Sequence, residues 1–351
     1  MRIRRITADW LHVPIPEAKQ HTTDFGRIAS FDSALVRVEA EGGLVGYGEA
    51  KAAVGSAGTN AALVTCIEQE LAPLIEGEDA RDISRLWDVM YNGSRAHFAI
   101  ARGHAFPILG RRGLAVAGLA GIDIALWDIL GKSLGVPVWR LLGGRRQARM
   151  PAYASGGWAP ADRIAAELKR FIERGDFKAV KMRVGAGDGT LAHSIARVRA
   201  ARDGLGEAID IMCDAHGTWT VAEAKRFCRE VAACNIGWLE EPVSADDKRG
   251  QAEITEALRI EALASAHQLR FAPHLWGGAL TFAAGLQVAA VASSGFILEY
   301  SLGANPMLHE LALEDFPVVD GYVEIPDRPG LGVTIDEAFV ARHRVPVASR
   351  S

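Results

Sequence analysis

Cysteine is scarce: four in 351 residues, Cys66, Cys213, Cys228 and Cys234, with no CxxC pair among them. All four sit in apolar segments, which argues against a disulfide frame or a zinc ribbon and predicts reduced core residues. A dominant charge sign is also lacking. The 39 basic and 43 acidic residues are interspersed, the formal net charge is −4, and no basic stripe tracks a phosphate backbone. Low-complexity tracts are absent as well, which argues against disorder. The first ten residues alternate charged and apolar side chains, and no apolar run reaches the ~20 residues that cross a bilayer. These absences predict a cytoplasmic protein with neither nucleic acid nor membrane as partner.

With 49% hydrophobic and 23% charged residues, the chain has an ordinary globular composition, and its length allows two domains. Residues 1–50 alternate like the strands of an antiparallel meander, and 60–145 carry helical periodicity, clearest in Ala115–Leu134, so the opening unit reads as α+β. From Met150 the rhythm becomes short apolar strands alternating with amphipathic helices, the pattern of parallel strands with helical crossovers. The predicted strands are Met150–Ser155, Ala179–Val184, Ile209–Ala215, Ile236–Val243, Arg270–His274 and Gly295–Tyr300. The predicted helices are Pro160–Arg174, Leu191–Arg202, Val221–Ala233, roughly Asp246–His267, and Ala279–Ala292. Six strands in about 150 residues fall short of the eight strands of a closed βα barrel.

Chemistry in such a fold gathers at the C-terminal strand ends. Lys181 and Arg183, two apart, face the same way, and a lysine aimed into a barrel mouth is costly unless it meets an anion; a snorkelling surface pair is the competing reading. The third strand ends Asp214-Ala-His216 and the fourth Glu240-Glu241-Pro242. Carboxylates on adjacent strand ends suit a hard cation such as Mg²⁺, although either acid alone also reads as a helix cap or a surface acid. His274 closes the next strand, as a base or a hydrogen-bonded structural residue, and Glu299 sits on the last.

The segments Gly121-Ile-Asp-Ile-Ala-Leu-Trp-Asp128, Leu141-Leu-Gly-Gly144, Ala179-Val-Lys-Met-Arg183, Trp238-Leu-Glu-Glu-Pro242, Ala272-Pro-His274 and Ile325-Pro-Asp-Arg-Pro-Gly-Leu-Gly332 together resemble the mandelate racemase branch of the enolase superfamily. The resemblance implies an α+β capping domain over 1–148, a modified TIM-type (β/α) barrel over 149–320, and a segment 321–351 packing back on the cap. It implies Asp214 and Glu240 as Mg²⁺ ligands, Lys181 and Arg183 at the paired-lysine motif, His274 as catalytic base, and His216 and Glu299 as substrate contacts. The implied chemistry is abstraction of the proton beside a carboxylate, and the implied partners are a small-molecule acid sugar and further copies of the chain in a homo-oligomer. The loop from Pro14 to Phe25 would close the site.

Two departures from the family pattern set further expectations. A guanidinium stays protonated at neutral pH, so Arg183 is a poor base, which disfavours racemisation or epimerisation and favours dehydration with His274 as the acid. After Glu240 the pattern expects a strand with a third metal ligand, a helix, and a strand with an aspartate that orients the histidine, yet the chain passes directly into Ile254-Thr-Glu-Ala-Leu-Arg-Ile260. The barrel is thus expected to lack two strands between about 246 and 254, with a gap or strained contact between the Glu240 and His274 strands. The competing reading is a non-catalytic homologue, unless Asp246, Asp247 or Glu253 swings in as a ligand.

Overall fold

The opening alternation folds as an antiparallel meander of three strands, β1 (Ile3–Pro14), β2 (Ser30–Ala40) and β3 (Val45–Ala50), with the short strand Arg344–Val345 added outside β1. A computed structural model of the chain describes residues 1–23, 26–52, 57–102, 113–243 and 254–347. One face of the meander, including Ile6, Ala8, Ala34, Val36 and Val38, is buried against helix α1 (Leu114–Leu134). The two approach so closely that a Cβ at Gly48 would lie 1.9 Å from the Gly121 carbonyl oxygen, which explains glycine at this contact.

Two expectations need correction. By length and composition α1 qualifies as a bilayer-crossing helix, with a mean hydropathy of 1.7 over its most apolar window, whereas the sequence reading found no such run. It is nevertheless a core helix, for 67% of that window is buried in the protein and it carries the buried carboxylates Asp123 and Asp128. Those acids interrupt the apolar run in sequence and are satisfied here by other segments. The cysteines also divide: Cys213 and Cys234 are buried, Cys66 is partly buried and Cys228 is exposed, so only two are core residues.

The second half alternates strand and helix: β4 (Arg149–Gly156), α2 (Ile164–Glu173), β5 (Ala179–Arg183), α3 (Leu191–Leu205), β6 (Asp210–Asp214), α4 (Val221–Glu230), β7 (Ile236–Glu240), α5 (Ile254–Ala266), α6 (Ala279–Val291) and β8 (Leu298–Ser301). The strands β8, β4, β5, β6 and β7 are parallel neighbours in that order. The stretch Arg270–His274 was expected as a full strand, but only Phe271 makes a bridge, to Gly295, and the final strand starts at Leu298 instead of Gly295. A strand with a neighbour on one side only has half a ladder to hold it, and here the ladder is reduced to the Phe271 and Phe296 amides. Among the described residues, no strand pairs with the far edge of β7, whose residues are partly exposed where those of β5 are almost all buried. Asp246, Asp247 and Glu253, and with them the expected start of the helix after β7, lie outside the described residues.

Buried carboxylates of the cap join the two halves. Asp123 accepts hydrogen bonds from the Thr255 amide (3.0 Å) and hydroxyl (2.5 Å), so an acid of α1 caps the N-terminus of α5, and Trp127 Nε1 donates to the same hydroxyl at 3.0 Å. Asp128 accepts from the Tyr47 and Leu331 amides and pairs with Lys132. A Cβ at Gly330, where φ is +70°, would fall 2.2 Å from the Asp128 carboxylate, which accounts for the glycine in the Pro-Gly-Leu-Gly tail.

Burial raises the Asp123 carboxyl from 3.8 to about 6, against the opposing Thr255 hydrogen bonds. Between those values the unfolded chain has released a proton that the folded chain keeps, so this group weakens the fold as pH rises through that window. Denaturant titrations at pH 4 and pH 6 should show this slope flattened in Asp123→Asn. Asp123→Ala, which strands the Thr255 donors, should cost about 2 kcal/mol at pH 4 and less at pH 6, where the wild type has lost part of the contribution.

Candidate active site at the strand ends

Parallel register lines up the ends of three strands. Arg183 on β5 is opposite Asp214 on β6, and Asp214 is opposite Glu240 on β7. On the other side Ser155 of β4 faces Lys181 of β5, and Tyr153 of β4 faces Glu299 of β8. Because side chains alternate across a strand, Lys181 and Arg183 both project toward this row.

Lys181 is the centre of the cluster. It is buried, and its Nζ lies 2.9 Å from Glu240 Oε2, 3.1 Å from Glu299 Oε1 and 3.5 Å from Asp214 Oδ2. Burial alone would lower the pKa of the ammonium, but Glu299, Tyr153, Glu240 and Asp214 outweigh it and hold Lys181 charged well above the usual lysine range. The Arg183 guanidinium contacts Asp214 Oδ2 through Nη1. Asp214 Oδ1 accepts the His216 amide at 3.0 Å. Burial opposes ionisation of Asp214, yet Arg183 and Lys181 together keep it below the ordinary aspartate range.

Glu299, 3% exposed, accepts from Ser155 Oγ (2.6 Å) and Lys181 on one oxygen and from the Leu275 amide (3.2 Å) on the other. Desolvation raises its pKa, but Lys181 first and then His274 and Ser155 bring it well below the usual carboxylate range. His274 is half exposed, and its Nε2 is 3.8 Å from Glu299 Oε2. Glu240 is partly exposed and also accepts from Trp238 Nε1 at 3.4 Å.

The structure therefore brings Lys181, Arg183, Asp214, Glu240, Glu299 and His274 into one connected cluster. His216 joins it through its backbone amide, with a left-handed φ of 48°. Asp214 and Glu240 bring carboxylate oxygens to adjacent strand ends, where Lys181 and Arg183 contact them, and among the described residues no group of three His, Cys, Asp or Glu side chains forms a metal cage. The sequence reading missed Ser155 and Tyr153, although Ser155 is a polar residue ending an apolar strand, the same signal that identified the others.

The Lys181–Glu299 pair is buried on both sides, and Glu299 also accepts from Ser155 Oγ and the Leu275 amide, so neutralising it weakens three charge-assisted contacts at once although Glu240 and Asp214 stay on Lys181. Glu299→Gln should destabilise the fold by roughly 3 kcal/mol at pH 7, measured by urea unfolding. Because the folded-state pKa of Glu299 is depressed, its contribution is present above the unfolded value of about 4.5 and is lost as pH falls below it. The gap between wild type and variant should accordingly narrow below that pH.

Comparison with known proteins places this geometry. The sequence model of the "Enolase C-terminal domain-like" family matches residues 163–256 and 251–339, and that of the "Mandelate racemase / muconate lactonizing enzyme, N-terminal domain" matches 5–143. The D-galactarolactone cycloisomerase of Agrobacterium fabrum is 30% identical over 366 residues, taking in 89% of this chain and 91% of that protein. The arabinonate dehydratase of Saccharolobus solfataricus is 29% identical over 353 residues, with 88% and 89% covered. A racemase from Streptomyces coelicolor with bound magnesium superposes with a TM-score of 0.80 at 28% identity, covering 98% of this chain and all of that one. With both family models matched in order across a cap and a strand-end acid cluster, the chain belongs to the enolase superfamily, on its mandelate racemase branch.

Proposed function

We propose that the chain is built for acid-sugar dehydration: abstraction of the proton alpha to a carboxylate, with loss of the neighbouring hydroxyl as water. The observation that carries this reading is the buried Lys181 ammonium, within 3.5 Å of carboxylates from three different strands and one contact from His274. Lys181, in contact with Glu240 and Glu299, supplies positive charge where an enediolate develops. Arg183 is no base, which sets racemisation aside. His274 remains to take the α-proton and return it to the departing β-hydroxyl, so that C–H and C–O break, water leaves, and the enol becomes a 2-oxo acid. The relatives named as a dehydratase and a cycloisomerase support this class of substrate.

The donor chemistry of Asp214 and Glu240 fits Mg²⁺, which commonly binds through one or two carboxylates and keeps several waters. When bound, the ion would stabilise the enediolate as a Lewis acid. Arg183 already contacts Asp214 Oδ2, so the guanidinium competes with a cation for that oxygen. Calorimetry should therefore show Mg²⁺ binding that disappears in Asp214→Ala and tightens at least about threefold in Arg183→Met.

A second reading, a non-catalytic homologue, is favoured by one feature. The C-terminal family model matches in two pieces that meet at 251–256, and both alignments exceed the chain's own 351 residues while using less than nine-tenths of it. We propose that a strand–helix–strand unit carrying the third metal ligand and the histidine-orienting aspartate is lost there, and that the barrel lacks two strands. The two readings divide on one assay. Wild type with Mg²⁺ and a panel of aldonic acids in D₂O should form 2-oxo acids, detected as semicarbazones, and His274→Asn should be slowed about 100-fold or more. Neither product nor α-deuterium exchange with any substrate would leave the non-catalytic reading.

A further inference from the structure

His274 is half exposed and lies on the short segment between the Phe271 bridge and α6, with little ladder of its own. Both halves of the chain hold that segment: Glu299 accepts the Leu275 amide and Asn305 Nδ2 donates to the Gly277 carbonyl, while the cap acts next to α6. Glu49, at the end of β3 and 2% exposed, accepts from the Gly278 amide at 2.8 Å and the Thr281 amide at 3.2 Å, so a cap carboxylate seats the N-terminus of α6. Two residues on, Lys51 extends over the same loop. Its Nζ lies 3.6 Å from the ring centroid of Phe31 on β2 and 3.6 Å from that of Trp276, and the two rings meet edge to face at 5.5 Å. The cation thus fills the angle between one ring of the cap and one ring of the barrel, two residues from His274.

The acids whose charge reaches Lys51 are engaged elsewhere. Glu49 holds the α6 amides, and Asp32 accepts from Trp10 Nε1, from Ser30 Oγ and from the His12 ring. Burial pushes the Lys51 ammonium down to about 7, against the pull of Glu49 and Asp32. Among the described residues the aromatic faces are its direct neighbours of opposite electrostatic sign, and such contacts strengthen when desolvated.

We infer that Lys51 is a positioning residue: clasped between Phe31 and Trp276, it fixes the loop that presents His274 to the strand-end cluster. The inference rests on His274 as the base, but its test reads the loop and not turnover, so a catalytically silent chain leaves it intact. In the full-length protein at pH 6, hydrogen–deuterium exchange of residues 272–281 should rise about tenfold or more in Lys51→Met, with residues 34–40 of β2 unchanged. Lys51→Arg, which keeps the cation, should restore protection. Unchanged exchange in Lys51→Met, or no rescue by arginine, overturns the inference. Should Lys51→Met not fold, Trp276→Leu tests the same clasp from the other side, because loss of the ring should raise the acetylation rate of Lys51 by acetic anhydride, and an unchanged rate overturns it equally.

Discussion

A single buried ammonium organises the strand-end face of this protein. Lys181 sits where an unpaired cation would be intolerable, and the structure answers with carboxylates from β6, β7 and β8 converging on one nitrogen. Each partner is tied in turn to something else: Asp214 to Arg183 and the His216 amide, Glu299 to Ser155 and the Leu275 amide, Glu240 to the Trp238 indole. Strand register, helix positions and the direction of the loop bearing His274 are therefore all conditions on the same charge. The pKa directions agree with this, since the lysine is held charged while Glu299 and Asp214 are held ionised despite burial.

The cap acts on this face from a distance through the same chemistry. Asp123, Asp128 and Glu49 each accept two backbone or hydroxyl donors from segments far along the chain, and each sits where α5, the C-terminal tail or α6 would otherwise leave polar groups buried and unpaired. Helix ends inside a protein need acceptors, and the cap supplies them as carboxylates. The cap is thus a structural part of the half that bears the site, and the aromatic clasp at Lys51 lies on the same line of contacts.

Much of the site was readable in sequence because it follows a simple rule: polar residues that interrupt apolar strands at their C-terminal ends. Asp214 and Glu240 end their strands and obey it, Lys181 and Glu299 interrupt theirs from within, and alternation correctly put Lys181 and Arg183 on one side. The failures have physical causes too. Arg270–His274 has the residues of a strand but only one bridge, because strand character is completed by neighbours and not by composition. Lys51, Phe31 and Trp276 share no periodicity, and their meeting depends on how cap and barrel dock. The apolar run of α1 was broken in sequence by Asp123 and Asp128, and only the structure shows these acids paired.

The charge balance bears on how such a site persists. In the described cluster the two cations Lys181 and Arg183 stand against the three carboxylates Asp214, Glu240 and Glu299. A fourth carboxylate, the third metal ligand expected of the family, would leave an excess of negative charge that only a bound cation could offset at low cost. Arginine at position 183 and the proposed loss of that ligand act in the same direction: each lowers the need for Mg²⁺ to hold the strand ends together, and each weakens the pull on the ion. The fold can then keep its acid cluster with or without metal, because its own cations do most of the neutralising. Arg183, through its contact with Asp214, thus does from within the chain part of what a bound cation would otherwise do.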